Sequence, residues 1–199
     1  GPTQSGGASA AWCARLLGMK LPELFSEAAH ADLNHVPLFL PHLEGERAPL
    51  WDASAKGSFT GLTSATGPRE LARAVLEGVA YSARLVFESL EASGRQAPLI
   101  IHHSGGGSRS DLWCQIRSDV LGKALKRTAT SDAGVLGAAL MAGVGVGLFS
   151  SLARATKEFV LFDRVFEPQN TQSAYHESRY QTYQLAYEQL KPVNAAFAR

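Results

Sequence analysis

The sequence predicts an α/β fold, and three observations lead to that class. Helical and strand-like hydrophobic patterns alternate along most of the chain. A short apolar run at residues 99–102 is followed by three glycines and then by a helical pattern, as where a strand turns into a helix. The 199 residues show no repeat, low-complexity tract or internal linker, so we expect one domain over residues 1–199.

The first third of the chain predicts two helices and two short strands. Small residues followed by apolar residues at helical spacing predict a helix over roughly residues 7–17, and residues 21–31 predict another. Residues 36–40 form an apolar run that fits a short strand. Residues 57–63 alternate in polarity between glycines, which predicts an edge strand or a hairpin arm.

The clearest helix lies within residues 67–94. Pro68 suits its first turn and Gly94 its end. Apolar residues recur on one face, namely Leu71, Val75, Val79, Leu85 and Leu90. This spacing predicts a helix with one buried stripe.

The second half continues the alternation. Residues 99–102 predict a buried strand, and Ser108 or Ser110 is expected to cap a helix that stops at Gly122. Residues 123–128 predict a second strand. Further on, the patterns predict a glycine-rich buried helix over about residues 134–147, a strand within residues 162–168, and a terminal helix with a tyrosine stripe (Tyr175, Tyr180, Tyr183 and Tyr187). The glycine spacing of the buried helix predicts close packing against another backbone.

Composition excludes several functional classes. Nineteen Lys and Arg residues oppose 18 Asp and Glu residues, so the net charge of +1 argues against a nucleic-acid-binding surface over the whole protein. The longest apolar stretch is too short and too rich in glycine for a membrane span. Cys13 and Cys114 lack metal-ligand spacing, so we expect core thiols in a reducing cytoplasm rather than a disulfide or a metal site.

The glycines Gly105, Gly106 and Gly107 are the first candidate for chemistry. A strand that ends in glycines before a helix exposes backbone N–H groups and the positive helix end to a ligand. No Gly-Lys-Ser/Thr sequence follows, and the glycine spacing does not fit the dinucleotide fingerprint. The local pattern leaves two interpretations open, a tight structural corner or a ligand cradle.

Two other segments carry polar residues but no recognisable catalytic pattern. The loop at residues 43–52 contains Glu44, Glu46, Arg47 and Asp52, and it is either a functional loop or a surface ion-pair loop. His102 and His103 are neighbours on a strand and therefore point to opposite faces, so a joint metal site is not expected. We identify no catalytic acid, base, nucleophile or metal-ligand set.

Three stretches together resemble one family. They are GERAPLWDASAKGSFTGLT at residues 45–63, SGGGSRSDLWCQIRSDVLGKAL at residues 104–125, and LGAALMAGVGVGLFSSLARA at residues 136–155. Their order and spacing resemble the FGGY carbohydrate kinases, which are sugar kinases of the actin-like ATPase superfamily. Within that family they are most similar to pentulose kinases of the xylulokinase type.

The resemblance implies a ribonuclease-H-like C-terminal domain whose first strands, together with the sugar-binding N-terminal domain, precede residue 1. By position, the glycine turn would lie under the adenosine of ATP, with polar contacts to the base at the following helix start and a glycine near the phosphates and ribose. The implied nucleotide-binding residues are Gly105, Gly106, Gly107, Ser110, Asp111 and Gly7.

The resemblance also implies the activity of a longer parent protein. It would use ATP and Mg²⁺ to phosphorylate a sugar, with xylulose or another pentulose as the expected substrate, in the cytoplasm. The family's catalytic aspartate has no match in this chain, so we expect the chain alone to be inactive. Many members self-associate, which leaves a homo-oligomer open. The alternatives are a glycerol- or gluconate-type kinase of the same family and a non-catalytic actin-like nucleotide-binding module.

Overall fold

The structure is a computed structural model that describes residues 2–94, 98–130 and 132–197. Within these ranges the chain forms seven α-helices and five β-strands. The helices are α1 (Gly7–Leu16), α2 (Leu21–Ala28), α3 (Pro68–Ala92), α4 (Asp111–Leu121), α5 (Ala133–Gly145), α6 (Leu152–Phe159) and α7 (Asn170–Phe197). The strands are β1 (Leu38–Leu40), β2 (Ser58–Thr60), β3 (Ile100–His103), β4 (Ala124–Thr128) and β5 (Phe162–Phe166).

The strands form two small sheets. Strands β1 and β2 pair antiparallel, with Phe39 opposite Phe59. The second sheet has the order β3-β4-β5. Its β3 and β4 run parallel, with α4 as the crossover between them, and β5 returns antiparallel to β4. The β3-α4-β4 unit is the parallel crossover of an α/β fold, which confirms the predicted fold class at the level of local topology.

Helix α3 lies at the centre of the main core. Helices α1, α2 and α4, strand β1 and helix α7 all pack against it. The largest fully buried side chains of this core include Tyr81, Trp113, Tyr183, Phe39, Leu24, Leu76 and Ile116. Full burial of a large apolar side chain contributes about 1.5–3 kcal/mol, so this cluster is the main source of stability. Of the predicted tyrosine stripe, Tyr180, Tyr183 and Tyr187 are buried and Tyr175 is half-buried. The prediction of one buried stripe on α3 holds only in part, because the helix is buried on all sides from Ala74 to Ser82 while Leu90 is 42% exposed near its end.

The structure shows which of the two candidate serines caps α4. Ser110 is the N-cap, and its hydroxyl oxygen accepts a hydrogen bond from the Trp113 backbone N–H at 3.3 Å. Ser108 instead donates its hydroxyl to the Gly105 carbonyl at 2.7 Å. Gly122 ends α4 in the left-handed region, with φ +60°, as the pattern predicts.

The strand predicted at residues 99–102 is observed as Ile100–His103, but the prediction that it is buried is wrong. Leu99 is 88% exposed and Ile100 is 50% exposed. The physical reason is the position of β3, which lies at the edge of its sheet and pairs with β4 alone within the described residues. An apolar run indicates a strand, but it does not show how many neighbours the strand has.

The prediction of a buried, closely packed α5 is also wrong. Val135 and Met141 are 74% and 59% exposed, and only Leu140 and Gly143 are buried along the helix. A Cβ atom built on Gly134, Gly137 or Gly145 would meet no atom within 4 Å of the described structure. The main packing partner of α5 is the short helix α6, which covers little of its surface.

Both cysteines are free and buried, as expected for core thiols. Burial raises the pKa of Cys13 and that of Cys114 to about 11, so neither thiol is reactive near neutral pH. In the part of the chain that the structure describes, no helix has both the length and the apolar character to cross a membrane.

His176 is a buried imidazole in the contact between α3 and α7. It is 1% exposed, and its Nδ1 lies 3.0 Å from the Tyr81 hydroxyl. Burial and the positive charges of Arg73, Arg179 and Arg84 lower the pKa of His176 to about 3. The folded protein therefore holds this imidazole neutral at pH values where an unfolded chain would protonate it.

This difference in protonation makes stability depend on pH. Below the ordinary pKa of 6.5 the unfolded chain binds a proton at His176 that the folded chain does not bind, so the free energy of unfolding falls as the pH decreases. His176→Gln is expected to reduce the loss between pH 6.5 and pH 5 by about 1.6 kcal/mol, because each pH unit is worth ~1.4 kcal/mol per proton and the unfolded imidazole is half protonated at pH 6.5. Urea denaturation of both proteins at the two pH values measures this. If the free energy of unfolding depends on pH equally in the two proteins, His176 is not a source of that dependence.

Candidate functional site

A cavity of about 640 Å³ opens beside the carboxyl end of β3. Its wall comes from the start of α1, from α2, from the glycine turn and from α4. The lining residues are Gly7, Leu21, Pro22, Phe25, His103, Ser104, Gly106, Gly107, Arg109, Trp113 and Arg117. The volume is in the range of small-molecule sites, and the position at the end of a strand is where α/β sheets bind ligands.

The glycine turn brings backbone to the surface of this cavity. Gly105 has φ +91°, a conformation that other residues rarely adopt, and the chain then forms a 3₁₀ turn over Gly106–Arg109. A Cβ built on Gly106 would meet no atom within 4 Å, whereas one on Gly107 would lie 3.0 Å from the Trp113 ring. The fold therefore requires Gly105 for its backbone angle and leaves space open at Gly106.

Apolar side chains form one side of the cavity. Helix α2 begins at Leu21 with Pro22 in its first turn, where the missing N–H of proline is tolerated. Leu24 on the same helix is fully buried in the core, which fixes the orientation of α2. Phe25 then packs on Trp113, with 5.8 Å between ring centroids. These residues give an apolar wall suited to the flat face of an aromatic ligand.

Two basic side chains form a polar part of the wall, next to Trp113. The Arg117 guanidinium lies 4.3 Å from the Trp113 ring centroid, and its Nη1 is 3.0 Å from the His103 Nε2. Burial, together with the charges of Arg117 and Arg127, lowers the pKa of His103 to about 4. Burial lowers the pKa of Arg117 to about 10. Near pH 7 the imidazole is therefore neutral and the guanidinium is charged.

The predicted nucleotide-binding residues separate into two groups. Gly106, Gly107 and Gly7 line the cavity, and Gly105 sets the turn beside it. Ser110 and Asp111 lie outside the lining.

The structure gives those two residues other partners. The Ser110 hydroxyl caps α4. The Asp111 carboxylate accepts hydrogen bonds from Arg127, at 2.6 Å, and from Arg164. These contacts hold the first turn of α4 against the sheet.

Several lining residues were not predicted from the sequence. His103 was given only a structural role, and Phe25 was one apolar residue of a short helix. Arg117 carried one usable signal, because it lies four residues after Trp113 and therefore on the same helix face. As predicted for neighbours on a strand, His102 faces away and contacts Phe162, with 4.6 Å between centroids.

The loop at residues 43–52 is not a surface ion-pair loop. Glu46 is only 4% exposed. Its carboxylate accepts hydrogen bonds from the backbone N–H groups of Gln4 and Arg47, from the hydroxyls of Ser5 and Ser82, and from the ring of His42, at 2.6–3.2 Å. Burial raises the pKa of Glu46, but these hydrogen bonds outweigh burial and lower it to about 2. Glu46 thus holds the N-terminal segment, the loop and α3 together.

Residues 6–146 match the C-terminal domain of the FGGY family of carbohydrate kinases. The match includes the glycine turn and every residue that lines the cavity. The chain belongs to this family. As members of the FGGY family are carbohydrate kinases, the cavity lies in a domain of such enzymes.

Curated relatives agree with this assignment. The chain is 34% identical over 158 residues to a xylulose kinase of Staphylococcus epidermidis, covering 79% of this chain and 32% of the relative. It is 37% identical over 187 residues to a xylulose kinase of Escherichia coli, covering 92% of this chain and 38% of the relative. The chain therefore spans roughly a third of the length of the curated relatives that it matches.

Solved structures confirm the fold class. A ligand-bound xylulose kinase of Lactobacillus acidophilus superposes with a TM-score of 0.87 at 28% identity, over 99% of this chain and 40% of that chain. A gluconate kinase of the same organism superposes with a TM-score of 0.86 at 28% identity, again over 99% of this chain and 40% of that chain. A glycerol kinase of Plasmodium falciparum with ADP gives 0.77 at 22% identity, over 91% of this chain and 37% of that chain, and shows the fold alone. The chain has the ribonuclease-H-like fold of the actin-like ATPases.

Proposed function

We propose that residues 1–199 are the nucleotide-binding C-terminal domain of an ATP-dependent kinase that phosphorylates a hydroxyl group of a sugar. One observation carries the proposal: the exposed glycine turn borders a cavity with an aromatic wall and leaves Gly106 open to a ligand. A planar base fits against the apolar wall at Leu21, Pro22 and Phe25, and the glycine turn brings backbone to the surface of the same cavity. The ADP named for the Plasmodium glycerol kinase supports a nucleotide in this fold.

A pentulose such as xylulose is the proposed substrate, because both curated relatives described above are xylulose kinases. The second candidate is a gluconate- or glycerol-type kinase. It is favoured by the gluconate kinase structure, which superposes nearly as well as the xylulose kinase structure. In either case the sugar is bound mainly by residues outside this chain. The free thiols are consistent with the cytoplasm as the place of the reaction.

The cavity does not fit a Mg²⁺ site of its own. Mg²⁺ prefers oxygen ligands, above all carboxylates and phosphates. The cavity is lined by two arginines and no aspartate or glutamate. We therefore assign no Mg²⁺ ligand here and derive no step through the metal. In this proposal the chain binds and orients the nucleotide, and alone it transfers no phosphoryl group.

Gly106→Val tests the nucleotide site. Gly106 is exposed, its φ lies outside the left-handed region, and its Cβ position is empty, so the fold tolerates the change at a cost of less than about 0.5 kcal/mol. The valine side chain projects into the space proposed for the nucleotide. We expect ADP to bind at least tenfold more weakly, with the melting temperature nearly unchanged. Calorimetric titration with ADP and thermal denaturation measure the two effects.

Gly145→Val is the matched control, because Gly145 is also exposed and its Cβ position is also empty, but it lies on α5 away from the cavity. It is expected to leave ADP binding unchanged. The proposal fails if the folded wild-type chain does not bind ADP, or if both valine variants bind ADP as the wild type does.

A further inference from the structure

The start of helix α1 forms part of the cavity wall through Gly7. From Ser9 onward the helix is anchored in the core, where Ala10 and Cys13 are fully buried. The glycines at its start have no such anchor within the described structure. Gly6 is the N-cap without a side-chain cap, and a Cβ atom built on Gly6 or Gly7 would meet no atom within 4 Å. Because consecutive glycines allow many backbone conformations, the entry to α1 needs support from outside the helix.

Glu46 supplies this support from the loop at residues 43–52. Its Oε1 accepts a hydrogen bond from the Gln4 backbone N–H, and its Oε2 accepts one from the Ser5 hydroxyl, both at 2.6 Å. Ser5 and Glu46 are both buried, and hydrogen bonds to a charged group are the stronger kind. Ser5 directly precedes the two glycines. The carboxylate therefore holds the chain two residues before it reaches the cavity wall.

The same carboxylate is attached to the core on its other side. Its Oε2 also accepts a hydrogen bond from the Ser82 hydroxyl at 3.2 Å and lies 3.0 Å from the Nδ1 of His42. Ser82 belongs to α3, the helix at the centre of the main core, and both residues are buried. The position of Glu46 is thus set by the core, and the N-terminal segment is held against that fixed point.

We propose that Glu46 is a positioning residue of the nucleotide site, which acts through Ser5 to hold the start of α1 where Gly7 meets the bound nucleotide. This inference rests on the proposed function. Glu46 and Ser5 do not line the cavity, so they act on the nucleotide only through the glycines. A wall segment that is fixed before binding loses less conformational freedom when the ligand arrives, and the affinity is higher for that reason.

Two serine variants test this role while the carboxylate stays in place. Ser5→Ala and Ser82→Ala each remove one buried hydroxyl that donates to the Oε2 of Glu46, so we expect both to lower the stability to a similar extent. Ser5→Ala is expected to weaken ADP binding about fivefold, and Ser82→Ala less than twofold. Calorimetric titration of the folded chains measures this. Glu46→Ala is less suitable, because its large loss of stability would itself lower the folded fraction.

Backbone dynamics separate positioning from a general loss of stability. The heteronuclear ¹⁵N NOE reports motion of each amide on the picosecond-to-nanosecond timescale. Without nucleotide, the NOE of Gly7 is expected to fall in Ser5→Ala and to keep its wild-type value in Ser82→Ala. The NOE of Gly106 in the glycine turn is expected to be unchanged in both variants. Lower stability alone does not loosen one segment of a folded chain and leave the rest unchanged.

The outcomes separate the two proposals. Wild-type ADP affinity in Ser5→Ala, or equal losses of affinity in the two serine variants, overturns the role of Glu46 and leaves the proposed function standing. An unchanged NOE of Gly7 in Ser5→Ala also overturns that role. A folded wild-type chain that does not bind ADP overturns the proposed function, and the inference falls with it.

Discussion

Glu46→Ala is expected to lower the free energy of unfolding by about 3–5 kcal/mol, the usual cost of removing one partner from a buried charged network. Glu46 is 4% exposed, and its carboxylate is the common acceptor for donors from three parts of the chain, namely the N-terminal segment, the segment around Glu46 itself and α3. Its loss leaves the buried Ser5 and Ser82 hydroxyls and the His42 ring without this acceptor. Urea denaturation at pH 7 measures the effect.

Glu44→Ala is the matched control for this prediction. Glu44 lies two residues earlier in the same loop and is exposed. Its replacement is expected to change the free energy of unfolding by less than about 0.5 kcal/mol. Similar small effects from both substitutions would show that Glu46 is not the residue that holds the loop to α3.

Gly78→Ala is expected to destabilise the protein by about 2–3 kcal/mol even though alanine favours helices. A Cβ atom at Gly78 would lie 2.3 Å from the Phe39 carbonyl oxygen, so α3 and β1 would have to move apart. Both elements belong to the main core, and a backbone oxygen cannot rotate away as a side chain can. Thermal and urea denaturation measure the loss.

Gly137→Ala makes the same change in another helix, but it is expected to stabilise the protein rather than destabilise it. Its Cβ position is empty on α5, so the gain in helix propensity remains, about 0.5–1 kcal/mol. A stabilising effect at both glycines would contradict the close approach of α3 and β1. A destabilising effect at Gly137 would show that α5 is covered in solution.

Sequence patterns located the elements because they report local properties. The helix predicted over residues 7–17 is observed as Gly7–Leu16, and the strand predicted at residues 123–128 is observed as Ala124–Thr128. Ser110 and Gly122 marked the ends of α4, because capping depends on residues close in the chain. The glycine turn was found for the same reason.

What the sequence could not show depends on contacts between distant residues. Glu46 was one of several charged residues in a loop, and only folding brings Gln4 and Ser82 to it from about 40 residues away on either side. Phe25 and Arg117 reach one cavity because α2 and α4 both pack on α3. Apolar composition likewise predicted burial of α5 and β3 but could not identify what lies against them.

The central claim is that the nucleotide binds at the glycine turn, and an amide chemical-shift titration tests it most directly. The ¹⁵N-labelled chain is titrated with ADP, and shift changes are followed for each assigned backbone amide. The account predicts the largest changes at Gly106, Gly107 and Phe25, with Gly137 on α5 unaffected. Changes centred on α5 and α6, or no change at the glycine turn when ADP is in excess, would contradict it.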